Sequence, residues 1–416
     1  MPMSKDFEER LCKILPDIIK EFGTPFHIYD AAGIIKTGER IKKLMPDVKE
    51  YFAVKANPNL AVMQFMQGME FGFDCSSIPE LNLARFLESK PDDIMFSSNN
   101  TSLEEFNEAL ADGGCILNLD DISMVKKVPQ MPELICFRYN PGKRRSEGSN
   151  FIIGEPTEQK YGVPHEKIVE AYKLAIERGA KRFGIHTMIC SNQMDWRYLA
   201  ETVKMLLEAI EMISSELNIE FEFLNMGGGI GTPYRPGQED FNLSAMAIGI
   251  NYSMADFAKR NGYRPKLFME SGRYMTGPHG VLVTRCINRM SKYFEIVGVD
   301  ASGPSCLMRS CIYDSAYHHI TVLGKDETNS PMEIVNVVGS LCENNDQFAK
   351  ERYLPVVEGG DILLIHNTGA HGLTMGSNYN GRLKCQELML CSDGFVKRIR
   401  RAETFKDYFA TQRNCD

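Results

Sequence analysis

Tyr51-Phe-Ala-Val54 is a short β-rich apolar run ending at a lysine, and seven more runs of its kind follow along the chain. They are Phe71–Asp74, Ile94–Ser97, Cys115–Asn118, Ile135–Asn140, Phe183–Met188, Phe221–Met226 and Leu267–Glu270. Between them lie stretches with apolar residues at i, i+3 and i+4, among them Pro79–Glu88, Leu103–Ala111, His165–Arg178, Trp196–Leu217 and Leu243–Arg260, the spacing of amphipathic helices. Eight strands alternating with helices over roughly 220 residues predict an α/β fold, a (β/α)8 TIM barrel. A doubly wound open sheet is the competing architecture for the same alternation.

Beyond about Pro278 long helices give way to strands and turns: Val281–Asn288, Phe294–Val299, His319–Val322, Ile334–Val338, Asp361–Ile365 and Glu387–Leu390. This predicts a C-terminal, mostly antiparallel β domain. The strand-like Gly23–Asp30 precedes the barrel and is expected to join it, giving a barrel over residues 35–277 and a β domain from 1–34 and 278–416. The chain has 416 residues, 43% hydrophobic and 25% charged, which excludes disorder. A net charge of −8 disfavours nucleic acid and anionic membrane as partners. No apolar stretch approaches the ~18 residues of a membrane span. Twelve cysteines are too dilute for a disulfide scaffold and show no metal-ligand spacing, so reduced thiols, a cytoplasmic location and no metal are expected.

Catalytic groups of a barrel sit where its strands end, and polar or glycine residues collect there. Lys55 follows four apolar residues; desolvation of its stem suits a Schiff-base nucleophile, although a strand-end lysine also snorkels to solvent. Asp74 closes the second run and Ser191 follows the sixth. Gly227, Gly228 and Gly229 bare their backbone N–H groups to a phosphate, or make a tight turn. Glu270-Ser-Gly-Arg273 sets a carboxylate and a guanidinium side by side, fit for a protonated ring nitrogen and a carboxylate, or for a surface ion pair. Cys342-Glu343 lies in a polar loop, where a thiol is a candidate acid or nucleophile or simply inert.

Taken together, Tyr51–Asn57, Phe73–Ser77, Gly227–Gly231, Glu270–Arg273, Cys342-Glu343 with Asp346, and Gly369–Asn380 resemble the ordered motifs of pyridoxal-phosphate decarboxylases of the alanine-racemase-like fold. Within that family the Cys-Glu pair, Ser377-Asn-Tyr-Asn380, and Arg309 with Tyr313 are most similar to diaminopimelate decarboxylases. The resemblance implies that Lys55 carries pyridoxal 5'-phosphate and that Glu270 keeps the pyridine nitrogen protonated. It implies cofactor contacts from Asp74, Met188, Ser191, Gly228, Gly229, Gly272, Arg273 and His371. Cys342 is implied to protonate the carbanion from a second subunit, making a homodimer with active sites at its interface. Arg273, Arg309, Tyr313, Glu343 and His371 are the implied substrate contacts.

Several positions depart from the family's pattern. Met188 replaces a histidine that stacks on the cofactor ring, and a thioether also packs on an aromatic face. His371 stands for a tyrosine, Ser271 for a proline, and the stretches Gly303–Cys306 and Ser310–Ser315 are altered around Arg309. The expected activity is decarboxylation of meso-diaminopimelate to L-lysine, with a D-amino acid such as D-ornithine or D-lysine, or another basic amino acid, as the alternative substrate. A racemase has no use for the Cys-Glu loop. A non-catalytic relative has no use for Lys55, Glu270 and the glycine run together.

Overall fold

The computed structural model describes residues 2–145, 153–313, 316–326 and 328–413. Asp314 and Ser315, part of the altered stretch beyond Arg309, lie outside them. The chain divides into two compact units, one of Thr37–Thr232 with Phe241–Tyr274 and one of Met1–Lys36, Pro233–Asp240 and Met275–Asp416.

The first unit is a closed barrel of eight parallel strands: Val48–Ala53, Gly72–Cys75, Ile94–Phe96, Ile116–Leu119, Leu134–Asn140, Arg182–His186, Phe223–Asn225 and Lys266–Met269. Each pairs with its neighbour in sequence, and the eighth pairs with the first, so no open edge is left. Tyr51, Met95, Ile116, Cys136, Phe223 and Phe268 cluster in one buried core, with Phe223 and Phe268 stacked at 4.3 Å. A Cβ on Gly184 would come within 2.0 Å of the Phe223 ring, so the sixth strand needs glycine there. Helices follow the first, second, third, fifth, sixth and seventh strands, whereas the fourth is followed only by a 3-10 turn, Ile122–Lys126, and the eighth by the four-residue helix Arg273–Thr276. Asp121 caps that turn through Ser123, and Pro129 soon after forbids continuation into a helix.

The second unit holds a nine-stranded sheet. Its main path runs Gln347–Pro355, Met332–Val338, Glu295–Val299, Gly280–Ser291, Phe26–Asp30, Gln386–Leu390 and Val396–Arg400. Ile320–Val322 pairs with Ile362–Ile365, which in turn pairs with Gly280–Ser291. Phe26–Asp30 runs parallel to Gln386–Leu390 and Glu295–Val299 parallel to Met332–Val338, and the remaining pairings are antiparallel. The N-terminal stretch folds as a helix, Lys5–Phe22, which buries Phe7, Leu11, Leu15 and Ile18. Those side chains share a core with Phe26, Ile28, Val281 and Leu388 of the sheet. Among the described residues, no helix is long and apolar enough to cross a membrane.

Candidate active site

The C-terminal ends of the barrel strands bring Lys55, Asp74, Met188, Ser191, Gly228, Gly229, Glu270, Gly272 and Arg273 into the same unit. Lys55 occupies a 3-10 turn, Val54–Ala56, directly after the first strand. Its Nζ lies 3.9 Å from Asp74 Oδ2, and its side chain is half exposed. The stem is therefore less wrapped in apolar atoms than four preceding apolar residues suggest, because the chain turns at Val54 and swings the lysine out to the mouth.

Asp74 is fully buried on the second strand, and its Oδ1 has no hydrogen-bond partner among the described residues. Burial, aided by the nearby Glu270 charge and opposed by Lys55, pushes its pKa up to about 7. Glu270, just beyond the eighth strand, shows the opposite balance. Burial would raise its pKa, but His186, Lys55 and Asn225 outweigh it and hold the group below the ordinary carboxylate range. The geometry is direct: His186 Nε2 is 3.1 Å from Oε2, and Asn225 Nδ2 donates to Oε1 at 2.7 Å. Glu270 is thus a buried, ionised carboxylate, and each oxygen keeps a lone pair for a further donor.

Asn225 also joins this carboxylate to the glycine run, its Oδ1 accepting from Gly227 N–H at 2.9 Å. Gly227 has φ +69° and packs so that a Cβ would sit 2.3 Å from the Thr187 carbonyl, so only glycine fits this turn. Gly228 N–H is 3.3 Å from Met188 Sδ, and Met188 carbonyl accepts from Arg138 Nη2 at 3.0 Å. The methionine that departs from the family pattern is thereby tied to the glycine run through its sulfur. Gly272 packs on the lysine turn, where a Cβ would approach Ala56 Cβ to 2.7 Å. Arg273 is buried and opens the short helix Arg273–Thr276.

Arg309, Tyr313, Cys342, Glu343 and His371 belong to the sheet-bearing unit. Arg309 is buried, with Nη1 3.1 Å from His318 Nε2 and its guanidinium 4.6 Å from the Tyr234 ring centre. His318 Nδ1 lies 2.8 Å from the His366 carbonyl, so Nδ1 carries the proton and Nε2 accepts from the arginine. Tyr313 follows the short helix Arg309–Ile312. His371 has φ +55°, beyond Gly369, whose missing Cβ leaves room for the Thr276 carbonyl. Cys342 is exposed in its loop. Asp346 pins that loop by accepting from Leu341 N–H at 2.9 Å and Gly303 N–H at 2.7 Å.

This donor set fits pyridoxal phosphate. An aldehyde needs a reachable amine, a protonated ring nitrogen needs an ionised buried carboxylate, and a phosphate needs a cation and backbone donors; Lys55, Glu270 and Arg273 match the first three, while Gly227 N–H is taken by Asn225 and Gly228 N–H faces only the weakly accepting Met188 sulfur. Among the described residues Asp74 Oδ1 is a buried polar atom with no partner, on the carboxylate whose Oδ2 faces the lysine. His186, Asn225 and Arg138 were not singled out from the sequence as site residues. Each is a polar side chain within an apolar strand, which is the one signal that marked them. Among the described residues no group of three or more His, Cys, Asp or Glu side chains could hold a metal.

Comparison with known proteins agrees with this chemistry. The family model of the pyridoxal-dependent decarboxylase, pyridoxal binding domain, matches residues 31–277. Protein TabA of Pseudomonas amygdali pv. tabaci is 44% identical, with 98% of this chain and 96% of that protein covered. The diaminopimelate decarboxylase of Methanothermobacter thermautotrophicus is 33% identical, with 95% and 93% covered. The solved structure of diaminopimelate decarboxylase from M. jannaschii with L-lysine superposes with a TM-score of 0.86 at 26% identity, covering 96% and 94% of the two chains. The chain belongs to the pyridoxal-dependent decarboxylase family: it is a carboxy-lyase acting on an amino acid, and pyridoxal phosphate is its cofactor.

Proposed function

We propose that the substrate is meso-diaminopimelate and the product L-lysine. The observation that carries this reading is Arg309, a buried guanidinium held in one orientation by His318 and Tyr234. An oriented guanidinium suits the distal carboxylate that diaminopimelate has and a simple diamino acid lacks. With Arg273, Tyr313 and Glu343 it would hold the distal amino-acid end, Glu343 taking the ammonium. Relatives named diaminopimelate decarboxylase at about 30% identity support the assignment. Decarboxylation of a D-amino acid such as D-ornithine or D-lysine is the second reading, favoured by His371 and the altered stretch around Arg309, where a changed grip would act. Protein TabA, at 44% identity, carries a name that specifies no substrate.

When bound, pyridoxal phosphate supplies an electron sink for the pair left at the α-carbon when carbon dioxide departs. Lys55 would hold the cofactor through Nζ, with Asp74 beside it. Glu270 would keep the ring nitrogen protonated, its own charge secured by His186 and Asn225. Gly228, Gly229, Gly272, Ser191 and Arg273 would bind the phosphate, Met188 would pack on the ring, and His371 would face phosphate and substrate. Cys342 Sγ–H would give its proton to the α-carbon, forming the C–H bond as the S–H bond breaks. We place Cys342 and Glu343 in the active site of a second copy, in a cytoplasmic homodimer. The free thiols among the described residues suit a reducing compartment.

Carbon dioxide release from a panel of meso-, D- and L-diamino acids tests the substrate. Good turnover of meso-diaminopimelate is expected, and Arg309→Ala should lower its kcat/KM about 10- to 100-fold, the loss of a charged hydrogen bond. A panel member without a distal carboxylate that outperforms meso-diaminopimelate and tolerates Arg309→Ala rejects this reading for the second. Cys342→Ala should slow turnover about 100-fold with cofactor still bound, the scale of one general acid. Unchanged kinetics would remove the thiol from that role.

A further inference from the structure

We infer that Glu50 is a positioning residue for the Glu270–Arg273 turn: it supplies the acceptor for the backbone N–H that Ser271 has and a proline there would lack. Glu50 lies on the first barrel strand and shares a strand face with Phe52, which is fully buried. A carboxyl group 1% exposed on such a face is costly unless it is hydrogen-bonded. Its partner is Ser271, whose backbone N–H donates to Glu50 Oε1. Parallel pairing of the first and eighth strands sets Met269 opposite Glu50, so the glutamate reaches two residues along to the turn.

The two unusual residues therefore explain one another. Serine in place of proline exposes an N–H donor at a site 1% accessible to solvent, where an orphan donor is destabilising, and glutamate in an apolar strand face satisfies it. Burial holds the Glu50 pKa up at about 8, against the opposing Ser271 bonds, so near neutral pH it bonds as a neutral acid. The turn it holds is flanked by two positions that matter to the site. Glu270 on one side is fixed by His186 and Asn225, and Gly272 on the other packs against Ala56 of the lysine turn. A rotated 270–271 peptide would shift both.

The inference rests on the role proposed for Glu270. It is tested on the holoenzyme with Ser271→Pro, Glu50→Leu, the double variant and Glu50→Gln, reading cofactor dissociation by visible absorbance, kcat and thermal unfolding. Each of Ser271→Pro and Glu50→Leu should weaken cofactor binding about tenfold, the double variant should return within about threefold of the parent, and Glu50→Gln, which keeps a carbonyl acceptor, should stay there throughout. Additive losses in the double variant overturn the coupling. So does a Glu50→Leu protein that unfolds at lower temperature with cofactor affinity and kcat unchanged. If Glu50→Leu alone fails to fold, recovery in the double variant supports the pairing and continued failure overturns it. Parental cofactor affinity and turnover in Glu270→Gln would instead sink the role of Glu270, whatever the Glu50 cycle shows.

Discussion

Lys55→Ala is expected to abolish the absorption band of lysine-bound cofactor and to lower kcat by about four orders of magnitude or more, because the covalent anchor and its amine go together. The amine stands 3.9 Å from Asp74, at the mouth of the barrel and on the turn that Gly272 packs against. Removing it also takes a cation away from two buried carboxylates, Asp74 and Glu270, both of whose pKa values it lowers. Persistence of the band would show that another lysine carries the cofactor. The same variant tests the proposed dimer. Mixed and reassociated with Cys342→Ala, it should recover about a quarter of parental activity, since half of randomly reassorted dimers hold one site with both residues intact. Two variants that stay inactive together, although each dimerises, would mean that Lys55 and Cys342 serve a site within one chain.

The barrel was legible because strands buried on both faces read as continuous apolar runs, and eight of them alternate with helical spacing. The same logic explains what was missed. Gln347–Pro355 and Val396–Arg400 form the two ends of the sheet path, and edge strands such as Val396-Lys-Arg-Ile-Arg400 carry charge in place of an apolar run. Lys5–Phe22 is amphipathic in sequence, but only the structure shows that its apolar stripe lies on the sheet of the second unit. In the site, Lys55, Glu270 and the glycine run stood out because each lies where an apolar run gives way to polar or glycine residues. His186, Asn225 and Glu50 fall inside or immediately before the runs read from the sequence, and their importance lies in register. His186 and Asn225 become neighbours of Glu270 only when the sixth, seventh and eighth strands pair side by side, across 84 and 45 residues of sequence.

Glu270→Gln is expected to leave cofactor attached while lowering kcat about 1,000-fold, the scale of removing a preorganised charge from a water-poor site. The amide keeps the shape and an acceptor for one neighbour, so folding should survive. What disappears is the negative charge that His186, Lys55 and Asn225 stabilise, and with it the means of holding a proton on the ring nitrogen. The substitution also has a consequence at Asp74. After burial, the Glu270 charge is the largest influence raising the Asp74 pKa, which stands at about 7. Without that charge, and with Lys55 still present, Asp74 should ionise at lower pH, so any feature of the rate–pH profile that follows Asp74 moves in the acid direction in Glu270→Gln. A feature that moves towards alkaline pH, or turnover within tenfold of the parent, would show that Glu270 does not hold the charge balance of this site.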